Sequence, residues 1–68
     1  AIGLIKMKNK IREYRKQMGM SQDTLSKNVN VSRQTVNAIE NNKYDPTLQL
    51  AFKLAKQFNT TVDDLFNP

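Results

Sequence analysis

The stretch from Gln22 to Asn41, QDTLSKNVNVSRQTVNAIEN, constrains this chain more than any other. Two short helical patterns meet there across a very short turn. Leu25, Val29, Val31, Val36 and Ile39 recur at spacings that place them on facing sides of two crossed helices. Ser21 and Ser32 stand where each helix opens, and a hydroxyl there caps the free amides of a first turn. Asn30 sits in the turn between them. Asn is one of the few residues besides Gly that tolerate a left-handed backbone. Such a pair is a helix-turn-helix, and the other segments have to complete its core.

The remaining periodicity is also helical. A first segment runs from about Lys8 to Met18, with Ile11, Tyr14, Arg15 and Met18 at helical spacing and Gly19 in the turn that follows. The second runs from its Ser21 cap to about Asn28, with Asp23 against the positive end of the helix dipole. The third runs from Ser32 to about Asn41. Asn41 to Pro46 reads as a loop. A fourth segment opens at Thr47 and carries a broad apolar stripe of Leu48, Leu50, Ala51, Leu54, Ala55 and Phe58. Thr61 caps a last short helix, TVDDLF, whose Asp63 and Asp64 lie in its first turn. No strand pattern, repeat or low-complexity tract is present. The reading is all-α: a compact five-helix bundle in one domain spanning 8–68. Residues 1–7 form a separate N-terminal arm or an expression remnant, because AIGLIK lacks helical periodicity and Met7 would itself be a sensible start.

Composition narrows the function. The chain has 68 residues, no Cys and no His. It therefore has no disulfide framework, and it lacks the commonest metal ligands and the commonest general base. No metal or cofactor is expected. A cytoplasmic setting suits such a chain. No apolar run approaches the ~18 residues of a membrane span, and Ala1 to Ile5 is too short for a secretory signal. The net charge is +5, which favours a polyanion. Residues 1–43 hold nine Lys or Arg against Glu13, Asp23 and Glu40, a balance of +6. Residues 44–68 hold Lys53 and Lys56 against Asp45, Asp63 and Asp64, a balance of −1. A solvated surface alone would explain a basic half; its position next to the helix pair gives it a second meaning.

On a helical wheel of about 100° per residue, Val36 and Ile39 point one way, with Glu40 beside them. Gln34, Asn37, Ala38 and Asn41 point the other way, and Arg33 reaches forward from the first turn. Lys and Glu are the ordinary residues of a solvated face, so a row of Gln, Asn and Arg is unusual. Its chemistry suits base edges in a major groove. Arg pairs with guanine, Gln or Asn pairs with adenine, and small apolar groups touch the thymine methyl. Ser32 and Thr35 can bond phosphate or a base edge. Gln22, with the amides that open the second helix, is placed to hold a phosphate.

Residues 8–66 resemble the phage-repressor type of helix-turn-helix domain, the family of Cro and cI repressors and the Xre-like regulators. The strings MSQDTLSKNVNVSRQTVNAIENNKYDP and TLQLAFKLAKQFNTTVDDLF carry the resemblance, with caps, core positions, loop and final helix in order. It implies a lambda-repressor-like fold and a sequence-specific double-stranded DNA-binding regulator, a repressor in the simplest case, that binds a two-fold-symmetric operator as a homodimer. By that resemblance Arg33, Gln34 and Asn37 read bases, with Ser32 and Thr35 supporting them. Gln22, Asn41 and Lys43 hold the backbone, with Tyr44 beside them. Arg15 and Glu40 match a buried ion pair, the alternative for Arg15 being a phosphate contact. Two positions depart from the pattern: Asn30 stands where Gly is common, and Ser26 where Ala is common. Ala38 offers no hydrogen bond where some relatives carry a base-reading Gln. Leu65 and Phe66 are either a dimer interface or a plug for the monomer's own core. A protein-interaction module is the rival reading, and it would call for a long extra tail or an apolar outer face on the third helix; the chain has neither. An enzyme is remote, because adjacent Asp63 and Asp64 diverge on a helix and no nucleophile–base pair stands out. No small-molecule ligand and no membrane partner are indicated.

Overall fold

The computed structural model describes residues 8–66. The expected N-terminal arm, 1–7, lies outside them. Five helices follow in order: α1 (Ile11–Gln17), α2 (Gln22–Asn28), α3 (Arg33–Glu40), α4 (Leu48–Gln57) and α5 (Val62–Leu65). There is no strand among the described residues.

The chain marks the ends of its helices with one repeated device. Ser21, Ser32, Thr47 and Thr61 each adopt extended backbone, and each side-chain oxygen accepts a bond from the amide three residues on. These caps satisfy amides that no helical carbonyl can reach, and each is worth about 1 kcal/mol. At the other ends, Gly19, Asn30, Asn42 and Asn59 take φ of 64°, 61°, 59° and 53°. The amide after each of them returns to a carbonyl five residues back: Met20 to Arg15, Val31 to Ser26, Lys43 to Ala38 and Thr60 to Ala55, all at 2.9–3.0 Å. Four helices therefore close in the same left-handed motif, and Asn supplies the residue in three of them.

The core is one cluster drawn from every helix: Ile11, Leu25, Val29, Val36, Ile39, Ala51, Leu54, Ala55, Phe58, Leu65 and Phe66. Four of the five apolar residues of the helix pair are 0–2% exposed; Val31 packs at the edge of the cluster. Tyr14 stacks on Phe58 with ring centroids 5.6 Å apart. Ser26 is buried, and its hydroxyl donates to the Asp23 carbonyl at 2.7 Å, so the polar substitute for Ala leaves nothing unpaired. The Lys10 amide donates to the Leu65 carbonyl at 2.8 Å and ties the start of α1 to α5.

Three expectations change. Helix α1 spans Ile11–Gln17, and Met18 lies beyond it at 53% exposure. Leu48 is 67% exposed, so the buried stripe of α4 begins at Leu50 and Ala51. Leu65 and Phe66 are 0% and 5% exposed within the single chain. They fill the monomer's core, so the plug is the reading that the single chain supports, with Phe66 also lining a surface cleft.

One polar group crosses this core. The Glu40 carboxylate, with no exposed side-chain surface, meets the Arg15 guanidinium at 2.8 Å. Arg15 binds both carboxylate oxygens and also donates to the Met20 carbonyl at 3.0 Å, so its donors are turned inward. Arg12 adds a longer contact of 3.4 Å, but it is half exposed, and such a pair contributes little. Burial alone would push the Glu40 carboxyl up; hydrogen bonds from Arg15, Gln22 and Arg12 and the charge of Arg15 outweigh it and hold the group below its ordinary value.

Two outcomes are expected. Arg15→Ala leaves a buried carboxylate without its main partner and costs about 3 kcal/mol, most of the margin of so small a domain; chemical denaturation measures it. The second concerns acid. Above the ordinary glutamate value of 4.5, both folded and unfolded chains are ionised and the pair contributes in full. Below it the unfolded chain takes up a proton first, and stability falls until the pH has passed through the lower folded value. The gap in melting temperature between wild type and Glu40→Gln should therefore narrow as the pH is lowered from 7 to 3.

Candidate nucleic-acid interface

The outward face of α3 is built on its buried face. Val36 and Ile39 fix the helix to the core at 1% exposure each, which leaves Arg33, Gln34 and Asn37 exposed. Ser32 caps α3 through the Thr35 amide at 3.1 Å, and the two hydroxyls lie 2.9 Å apart. Gln22, at the start of α2, joins Arg33, Gln34 and Asn37 around one shallow concavity. The two helices of the motif thus bring four long polar side chains to one place. Lys43 and Tyr44 follow in the exposed loop.

A chain of hydrogen bonds runs beneath this face. The Gln22 Nε2 donates to Glu40 Oε1 at 3.2 Å and to Asn37 Oδ1 at 3.2 Å. The Asn41 Nδ2 donates to the Asn37 carbonyl at 2.9 Å and to Asn37 Oδ1 at 3.1 Å. Arg12 Nη2 donates to Asn41 Oδ1 at 3.1 Å. Asn37 therefore sits between two amides, and both are anchored on the charged groups behind α3. Asn41 is engaged within the protein, with both of its amide hydrogens directed at Asn37.

Two residues of this region escaped the sequence reading. Asn9 donates to the Ile39 carbonyl at 2.8 Å and to Asn42 Oδ1 at 3.1 Å, while its own Oδ1 accepts from the Ile11 amide at 3.2 Å. It fastens the entry to α1 to the exit of α3. Arg12, one of the nine basic residues of 1–43, is the link from Glu40 to Asn41. Both contacts span about thirty residues of sequence, and no local pattern announces them. Among the described residues no group of His, Cys, Asp or Glu could hold a metal ion, and no helix is long and apolar enough to cross a membrane.

Comparison with known proteins agrees with this geometry. A family model described as helix-turn-helix matches residues 11–65. An uncharacterized HTH-type transcriptional regulator of Methanocaldococcus jannaschii is 52% identical over 60 residues, covering 88% of this chain and 91% of its own. A similarly described regulator of Archaeoglobus fulgidus is 47% identical, covering 88% and 86%. YgzD of Bacillus subtilis, also an uncharacterized HTH-type transcriptional regulator, is 48% identical, covering 88% and 91%. Among solved structures, a chain of the SinR/SinI protein complex superposes with a TM-score of 0.78 at 27% identity, covering 85% of this chain and 57% of that one. A hypothetical transcription factor from Neisseria, NHTF, gives 0.76 at 26%, covering 85% and 67%. The match over residues 11–65, on five helices with the helix-turn-helix at α2 and α3, places this chain in the helix-turn-helix family of Cro/cI and Xre-like transcriptional regulators.

Proposed function

We propose that this protein is a sequence-specific regulator that binds double-stranded DNA with α3 in the major groove. The observation that carries this reading is the exposed row of Arg33, Gln34 and Asn37 on a helix whose opposite side is locked in the core. Those side chains have the donors and acceptors that base edges require. The basic half of the chain supplies the phosphate attraction, with Lys43 just past the end of α3 and Ser32 and Thr35 at its start.

One small module covers few base pairs. The reading therefore includes a homodimer on a two-fold-symmetric operator, with recognition helices about 34 Å apart. Repression by occlusion of the promoter is the simplest outcome. Since Leu65 and Phe66 belong to the core, the second copy is assigned to the bare apolar side of α4. Leu48 and Phe52 lie one turn apart there, at 67% and 53% exposure. Leu48 also lines a cleft with Tyr44, Pro46, Ala51, Val62 and Phe66. Large exposed apolar side chains on so small a protein favour cover by a partner.

Selection from a random duplex pool, followed by a salt titration of the winning site, tests the reading. A two-fold-symmetric motif bound far more tightly than random DNA is the expected result. Enrichment of nothing by folded protein would reject it and favour protein contacts. Gln34→Ala should cost about 1–3 kcal/mol per half-site and relax preference at one base pair. Lys43→Ala should weaken all sequences alike and reduce the salt slope by about one per protomer. Phe52→Glu should give a monomer in sedimentation and weaken operator binding; an unchanged mass would exclude this face of α4.

A further inference from the structure

The amide network beneath α3 has a fixed polarity, and that polarity limits what Asn37 can read. Glu40 lies below its ordinary pKa and is an ionised carboxylate at neutral pH; it only accepts hydrogen bonds. Gln22 must therefore turn its NH2 toward Glu40, at 3.2 Å. At the other end, the guanidinium of Arg12 only donates, so Asn41 must turn its oxygen toward Arg12, at 3.1 Å. The Asn41 NH2 then faces the Asn37 backbone carbonyl at 2.9 Å, an acceptor that cannot change sign.

Asn37 stands between two outward-pointing NH2 groups. Only its oxygen can face them both, at 3.2 Å from Gln22 and 3.1 Å from Asn41. An amide oxygen has two lone pairs, and both are now occupied. The amide nitrogen of Asn37 has no partner among the described residues, and the side chain is exposed. Both hydrogens of Gln22 are used as well. A phosphate oxygen, which can only accept, would find no free side-chain hydrogen on Gln22.

We propose that Gln22 is a positioning residue for Asn37 and that Asn37 consequently presents donors alone. It selects guanine, whose O6 and N7 both accept. Adenine and thymine are disfavoured, because each offers one acceptor, N7 or O4, and the bidentate pairing of Asn with adenine also needs a free amide oxygen to accept from N6. Cytosine is disfavoured, because it offers only the N4 donor. The inference rests on the DNA-binding reading above and sharpens it at one base pair. It revises the reading from sequence at two residues: Asn37 leaves adenine, and Gln22 acts through Asn37 instead of on a phosphate.

Selection on random duplexes with wild type, Asn37→Ala, Gln22→Ala and Gln22→Met tests it, with thermal melts to establish that each variant is folded. The Met variant keeps the length of Gln22 without its hydrogens. Asn37→Ala should erase preference at one base pair per half-site, where wild type selects guanine. The two Gln22 variants leave Asn41 in place and free one lone pair of the Asn37 oxygen, which can then accept from adenine N6. Discrimination against adenine at that same base pair should fall roughly tenfold, with the other positions unchanged. Three results would overturn the inference while leaving DNA recognition intact: a base other than guanine selected by wild type at that position, no change of preference in Asn37→Ala, or a uniform loss across all sites in the Gln22 variants. The last is the signature of a phosphate contact. Failure of folded wild type to enrich any motif would overturn the DNA-binding reading itself, and this inference with it.

Discussion

The buried carboxylate of Glu40 is the interaction on which the arrangement of the first three helices depends. A charge with no exposed side-chain surface has lost its water and must recover that energy from the protein. Its location makes the demand greater. Glu40 is the last residue of α3, where the helix dipole already places negative charge and favours a cation. Arg12 and Arg15 from α1 and Gln22 from α2 bring their donors to it. If any of the three helices moved by an ångström, a donor would leave and the desolvation cost would return. The apolar core tells the helices to pack, but it is tolerant of small slides. The carboxylate fixes where on each other they pack.

A buried ion pair is weak evidence for stability as such, since well-packed apolar groups of the same shape often do as well. Here the pair has a second consequence that no apolar replacement would supply. Its charges have signs, and those signs propagate outward through Gln22 and Asn41 to an exposed amide on the outer face of α3. The groups that hold the fold together thus also settle which end of Asn37 faces outward. This ordering exists in the free protein, so DNA binding need not meet its entropic cost, which for a flexible side chain runs to about 0.5–1.5 kcal/mol.

How much of this could be read from the sequence follows from the range of each interaction. Ser21, Ser32, Thr47 and Thr61 act on amides three residues away, and Asn30 acts on its own backbone. Their roles were legible, and the helix boundaries came out within a few residues. The α3 face was legible because one helix decides it: Val36 and Ile39 inward, Arg33, Gln34 and Asn37 outward. Leu48, Met18, Leu65 and Phe66 were not. Apolar spacing says that a residue lies on a helical stripe, but whether that stripe ends in the core or in solvent depends on the crossing of another helix. Asn9 and Arg12 were hidden for the same reason, since their partners are about thirty residues distant. The Arg15–Glu40 contact came within reach only through family resemblance; spacing alone left Arg15 free to face a phosphate.

Gln22 shows how magnitudes decide between two roles for one side chain. Leaving its internal partners for a phosphate would break a bond to an ionised carboxylate, worth about 1.5–3 kcal/mol, and a second to a neutral amide, worth about 1 kcal/mol. A phosphate would return one charge-assisted bond of similar strength to the first, but on the surface, where water competes for both groups and salt screens the attraction. The exchange also leaves the Glu40 carboxylate short of a donor in a place that water does not reach. On this balance the internal bonds of Gln22 outweigh a phosphate contact, which is why the positioning role is the one proposed.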